Sequence, residues 1–259
     1  MSSKNNLELN PRISVDCVIF GFDLNQLKVL VIERSISDSE KQILTLPGDL
    51  IYEGENLDIA ANRVLFELTG LQTIFLEQVG AFGDTDRLNK EVDKKWLRAV
   101  REEPEARVIT IAYFSLVNIH EYAPQASSFA KSAAWIPLNE IDELAFDHSD
   151  ILQTALKKLK NKIRIQPVGF NLLPEKFTLS QLQKLYEAIL GRQLQKLYEA
   201  ILGRELDKRN FRRKMLKLQL VEMLEERQEK VPHKPSQYFK FNETNYNKLI
   251  ENGFDNFGF

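Results

Sequence analysis

Cysteine is almost absent: Cys17 is the only one in 259 residues, so no disulfide can form within the chain and no zinc site can rest on thiolates. Its place inside the apolar run VDCVIFGF makes it a small buried hydrophobe rather than a nucleophile. No apolar run approaches the roughly 18 residues of a membrane span, and the polar start MSSKNNLELN has no secretory apolar core. These absences argue against membrane-spanning and disulfide-framework classes and lead to the expectation of a cytoplasmic protein without membrane contacts. What is present is hydrophobic content of 43%, enough for cores in one large or two ordinary domains.

The net charge of −2 conceals an asymmetry. Residues 1–154 hold 14 Lys/Arg against 25 Asp/Glu, a net of −11, whereas residues 155–230 hold 18 against 9, a net of +9. Such a division suggests an acidic sensing or catalytic body joined to a module that meets a polyanion.

In the acidic part, ISVDCVIFGF and LKVLVIER are rich in Val and Ile and are predicted strands, joined by the turn-forming Asp-Leu-Asn-Gln. Leu57, Ala60, Ala61, Val64, Leu65 and Leu68 repeat at three- and four-residue spacing, which predicts a helix ending at the C-cap Gly70. FLEQVGAFGD, RVITIAYFSLV and AAWIPL are predicted as further strands of a mixed sheet. A helix over about 149–162, capped at His148 or Ser149, turns Ile151, Ala155, Leu156 and Leu159 inward and its lysines to solvent. Between Arg87 and Arg107 a highly charged segment could form a short helix with Trp96, Leu97 and Val100 inside; it reads first as a plain surface excursion, with an insertion near the pocket or a subunit interface as the alternative.

The stretch from Asp49 to Leu71 resembles the Nudix box, a pyrophosphate-hydrolase motif. Glu55, Arg63, Leu65, Glu67, Gly70 and Leu71 stand at matching positions, but Asp49 replaces a Gly, and Val64 and Leu68 each replace a Glu. The box reaction needs a carboxylate cluster to hold Mg²⁺ against a diphosphate, and Val and Leu cannot coordinate a hard cation. No catalytic residue, metal site or cofactor is therefore expected, and the protein is expected not to be an enzyme. Arg63 and Glu67, four residues apart, have the spacing of an ordinary surface pair.

The basic part opens with QPVGFNLLPEKF, a linker whose Phe170, Leu172 and Leu173 suggest that it packs. Thr178 and Gln181 form a capping box, with Phe177 and Leu182 at the spacing of its hydrophobic staple. QLQKLYEAILGR then occurs twice without a mismatch, at 181–192 and 193–204, which points to a recent event, in the gene or in cloning, rather than a drifted structural repeat. Asp207 is a good N-cap, with Leu206 and Phe211 as its staple, for the cationic segment that carries Lys208, Arg209, Asn210, Arg212, Arg213, Lys214 and Lys217. On a helix in a major groove, Arg can pair with guanine, Asn with adenine and the remaining cations with phosphates. PHKPSQYFKF follows as a wing, with His233, Lys234 and Ser236 near its tip. Helix, turn, cationic helix and wing is the order of a winged helix-turn-helix.

Both parts together resemble the Nudix-related bacterial transcriptional regulators, the group that includes NAD-metabolism repressors and an arabinose-responsive regulator. PVGFNLLPEKFTLSQLQKLYEAILG and LDKRNFRRK carry the resemblance most specifically. It implies an α+β chain: a Nudix-like α/β/α sandwich with a mixed sheet over 1–165, a linker over 166–176, and a winged helix-turn-helix over 177–259. It further implies a homodimer that binds double-stranded operator DNA and a small-molecule effector, a sugar or an ADP-ribose-like compound, at Arg34, Asp49, Arg63, Glu67, Phe82, Asp86 and Arg87. The missing carboxylates tilt the expectation toward a repressor of carbohydrate, pentose-type, utilisation genes. A Mg²⁺-dependent hydrolase of ADP-ribose or a related nucleoside diphosphate derivative is the alternative.

Overall fold

The computed structural model describes residues 8–34, 43–165, 169–190, 208–229, 231–232 and 234–252. Two compact units result, one from residues 1–21 and 28–157, the other from residues 22–27 and 158–259.

The first unit is built on a seven-stranded sheet. Its strands are β1 (Leu9–Phe22), β2 (Leu27–Arg34), β3 (Ile43–Thr45), β4 (Gly48–Tyr52), β5 (Glu77–Phe82), β6 (Ile109–Asn118) and β7 (Ala130–Pro137). The main path runs β3-β2-β1-β6-β5, with β4 paired to β1 and β7 to β2. β1 is central and buried from Ser14 onward, so it is apolar on both faces except at Ser14 and Asp16. Its period-two geometry still sorts the side chains. Val15, Cys17 and Ile19 enter the cluster formed with helix α1 (Leu57–Thr69), while Asp16 projects to the opposite face, where α3 (His148–Ile165) begins. That is the expected sandwich.

α1 obeys its local signals. Asn56 caps it by accepting from the Asp58 N–H at 2.8 Å, and Gly70 ends it in the left-handed region at φ 70°, donating its N–H to the Phe66 carbonyl. The cap expected at His148 or Ser149 of α3 is not formed there: the helix already starts at His148, whose ring is engaged elsewhere, and Ser149 Oγ instead accepts the Leu144 N–H.

The charged segment 88–106 is no surface excursion. It contains α2 (Glu91–Val100), whose Trp96 and Leu97 pack on Ala145 and Phe146, and whose Asp93 carboxylate accepts the Phe146 N–H at 2.9 Å. Val100, expected inside, is 50% exposed. It shares a face with Trp96 one turn earlier, but that last turn overhangs a cavity instead of the core.

The second unit contains β8 (Phe177–Thr178), α4 (Leu179–Leu190), α5 (Lys208–Lys217), β9 (Val221–Arg227), β10 (Gln237–Phe241) and α6 (Glu243–Glu251), with the sheet order β8-β10-β9. The capping box forms reciprocally: the Thr178 N–H donates to Gln181 Oε1 at 2.8 Å and the Gln181 N–H to Thr178 Oγ1 at 3.2 Å. Phe177 and Leu182, its staple pair, are both buried. Tyr186 of α4 meets Phe211 of α5 edge-on at 5.2 Å, and Phe170 stacks on Phe241 at 4.0 Å, so the 170–173 part of the linker packs as expected. Asp207, Leu206 and most of the duplication lie outside the described residues.

Candidate functional site

The box helix and the loop before it converge on Arg63. Its Nε and Nη2 donate to Glu55 at 2.7 Å each, its Nη1 to Glu67 at 2.9 Å, and its Nη2 also to the Leu50 carbonyl at 3.2 Å. Its guanidinium lies 4.1 Å from the centre of the Tyr52 ring. The expected surface pair with Glu67 is thus one arm of a network that ties loop to helix. The Arg63 bond is also the main reason the Glu55 carboxyl is held below its usual range. Val64 and Leu68, where the box has Glu, are buried in the apolar cluster between α1 and the sheet; an oxygen ligand there would leave a carboxylate without water.

A second network lies on the other face of β1. Asp16 accepts from Thr110 Oγ1 at 2.6 Å, stands 3.3 Å from His148 Nε2 and 3.7 Å from Arg87 Nη2. Arg87 makes a two-pronged pair with Asp147 at 2.8 Å. His148 Nδ1 accepts the Leu46 N–H at 3.0 Å, which places the ring proton on Nε2, facing Asp16. Burial above all pushes the His148 pKa down to about 4.

Between the box loop and α2 lies a cavity of about 630 Å³, walled by Asp49, Leu50, Trp96, Val100, Arg101 and Phe129 among others. Directly behind the wall, the Arg34 guanidinium lies 3.9 Å from the Trp96 ring centre, 4.8 Å from Phe146 and 5.6 Å from Phe129. Arg34 is 5% exposed, and its Nε and Nη1 have no hydrogen-bond partner among the described residues. Desolvation lowers its pKa to about 10, against the pull of Asp16. Burial likewise raises Asp49 and lowers Arg101.

Of the residues expected to bind an effector, Asp49 lines this cavity and Arg34 lies behind its Trp96 wall. Arg63 and Glu67 form the separate box network. Phe82, Asp86 and Arg87 do not line the cavity: Phe82 ends β5, Asp86 accepts from Asn89 at 2.7 Å on the surface, and Arg87 is engaged by Asp147. Trp96 and Arg101, from the segment read as a possible insertion near the pocket, and Phe129 also line it, though none was named as a site residue. The aromatic in a charged, helix-compatible segment was the available signal for Trp96; for Phe129, in a loop, there was none.

In the second unit α5 presents the cationic segment. Arg213 is exposed, whereas Arg212 is half-buried and donates from Nη2 to Ser180 Oγ at 2.9 Å, so it braces α5 against the start of α4. Lys214 is half-buried and its pKa is lowered by burial. The side chains of Lys208, Arg209 and Asn210, and His233 altogether, lie outside the described residues. In the wing, Lys234 is exposed, and the Ser236 carbonyl accepts the Gln228 N–H at 3.0 Å. Glu226 and Glu222 of β9 pair with Lys176 and Lys240 at 2.7 and 2.9 Å.

A sandwich closed by a box helix and a following three-stranded winged unit define a Nudix-domain protein with an appended winged helix. The NUDIX domain family matches residues 10–155, and the NrtR DNA-binding winged helix domain family matches residues 169–196 and 192–241. The two latter segments overlap inside the tandem repeat, as they must when a domain with one copy is laid on a chain with two. The chain is 33% identical over 237 residues to the ADPR responsive transcriptional repressor NtrR of Acinetobacter baylyi, covering 90% of this chain and 82% of that protein. It belongs to the family of Nudix proteins that carry an NrtR-type winged helix. Over 154 residues it is also 27% identical to the ADP-ribose pyrophosphatase of Methanocaldococcus jannaschii, covering 60% of this chain and 78% of that enzyme. The crystal structure of Shewanella oneidensis NrtR complexed with a 27mer DNA shares the fold, with a TM-score of 0.63, 24% identity, and coverage of 91% of this chain and 95% of that one.

Proposed function

We propose that this protein is an effector-responsive, DNA-binding transcriptional repressor, working as a homodimer, whose Nudix-fold unit senses ADP-ribose or a similar nucleotide sugar. The observation that carries the reading is the match to the Acinetobacter repressor across both units. The cationic helix α5 in the winged unit supports DNA binding, with Arg213 and the 208–210 segment reading bases or phosphates and Arg212 holding the helix in place. The sugar effector and carbohydrate target genes expected from the sequence gain no support from the relatives, whereas ADP-ribose is the effector named for the Acinetobacter protein.

Loss of hydrolysis follows, in this reading, from the box. Val64 and Leu68 offer no oxygen ligands, and Glu55 is bound to Arg63. The hydrolase alternative draws on one observation: Glu67 keeps its box position with its side chain 42% exposed, in a chain related to an ADP-ribose pyrophosphatase. Incubation with ADP-ribose and Mg²⁺ separates the two. The regulator reading expects ADP-ribose to survive; turnover to AMP and ribose phosphate that a Glu67→Gln change abolishes would establish the enzyme.

A further inference from the structure

Helix α5, proposed above to read DNA, ends in a conformation that its own sequence does not favour. Gln219, just past the last turn, sits in the left-handed region at φ 50°, where glycine is the usual occupant because a Cβ is strained there. Two backbone bonds close the turn around it: the Leu220 N–H donates to the Met215 carbonyl at 3.1 Å and the Gln219 N–H to the Leu216 carbonyl at 3.0 Å. Leu220 and Met215 are both buried, which supplies the apolar contact that accompanies such an ending.

The next three carbonyls are held from α6. Asn245 Nδ2 donates to the Leu218 carbonyl at 2.7 Å and to that of Gln219 at 3.3 Å, and the Asn242 N–H donates to that of Leu220 at 2.9 Å. Asn242 in turn caps α6, its Oδ1 accepting the Asn245 N–H at 2.9 Å, so the residue that reaches α5 is fixed through its own backbone. Phe241 joins this corner to the rest of the unit, stacked on Phe170 and 5.5 Å from the Tyr246 ring. α6 begins just past residue 241, where the winged helix family match stops.

On the reading of the winged unit as DNA-binding, on which this rests, we infer that Asn245 is a positioning residue for sequence-selective binding. Through the Leu218 and Gln219 carbonyls it ties the end of α5 to α6 and so sets the pose in which α5 meets the bases. Arg212 braces the middle of α5 on Ser180; a second tie at the end fixes the direction of the axis as well. The ten residues of α5 span about 15 Å, so a tilt of about 10° displaces one end by about 2–3 Å relative to the other, enough to break hydrogen bonds to base edges. Attraction to phosphates depends on charge and tolerates such a tilt.

Mobility-shift titrations of the full-length protein on DNA from upstream of its own gene and on an unrelated duplex test this, alongside hydrogen exchange of the free protein. Asn245→Ala is expected to weaken selective binding by about fivefold or more and unselective binding by less than about twofold, with faster exchange at the Gln219 and Leu220 amides. Adding Gln219→Gly, which relieves the left-handed strain, is expected to restore much of the selectivity. A role confined to holding the fold would weaken both kinds of binding alike and lower the melting temperature, which overturns the inference, as does unchanged selective binding in Asn245→Ala. Should Asn245→Ala fail to fold, Asn245→Asp decides in its place, since it keeps a residue suited to the first turn of α6 and removes the amide donors. If the parent protein binds no DNA selectively, the DNA reading falls and the inference with it, whereas a selective parent with an indifferent variant refutes only the brace.

Discussion

Burial holds His148 neutral against the pull of nearby Asp16, and this has a consequence for stability. Its folded pKa of about 4 lies below the ordinary 6.5, so between these values the unfolded chain binds more protons. The contribution is complete above pH 6.5 and is lost as pH falls toward 4, on the order of 3 kcal/mol in all. Urea melts across this window should show the slope in the parent protein and a shallower one in His148→Gln; equal slopes would remove His148 as the cause. Gly48 belongs to the same constellation: a Cβ there would lie 1.7 Å from Asp16 Oδ1, so only glycine admits that carboxylate. None of this was legible in the sequence. Thr110 and His148 lie 94 and 132 positions from Asp16, and no local pattern connects them. Arg63 shows the opposite limit: its helical spacing to Glu67 was plain, but its stronger bonds to Glu55 depend on how the loop folds back.

At the scale of elements, the strands and helices with strong local signals formed where periodicity and caps placed them. Gly70 and the Thr178–Gln181 box are examples, because each depends on neighbours within four residues. Removing the box Thr tests that locality: Thr178→Ala should cost about 1 kcal/mol, seen as a lower melting temperature of the winged unit, whereas an unchanged melt would mean the cap is redundant. α2 was harder to place because its apolar inner face is only Trp96 and Leu97, and the partners of Trp96, namely Arg34, Phe129 and Phe146, come from distant parts of the chain. The repeat is an element-scale question too. Half-site spacing is a matter of geometry, so a version lacking residues 193–204 is expected to bind DNA as tightly as the parent or more so; markedly weaker binding in a mobility-shift titration would give the second copy a function.

For the whole molecule, the charge asymmetry proved the most durable sequence signal, since a net of −11 over residues 1–154 and +9 over 155–230 coincides with a sandwich unit and a winged unit. Composition reports this without any knowledge of contacts. Of the seven residues the sequence placed around a pocket, Asp49 lines the cavity and Arg34 lies behind its Trp96 wall, a placement that depends on contacts far apart in the chain. The central claim, a repressor switched by a nucleotide sugar, is tested most directly by a mobility-shift titration of the full-length protein on DNA from upstream of its own gene, across a range of salt, with and without ADP-ribose. The expected result is sequence-selective binding that weakens steeply with salt and is changed several-fold by ADP-ribose while the nucleotide stays intact. Binding that is unselective, or selective but indifferent to ADP-ribose, would contradict it.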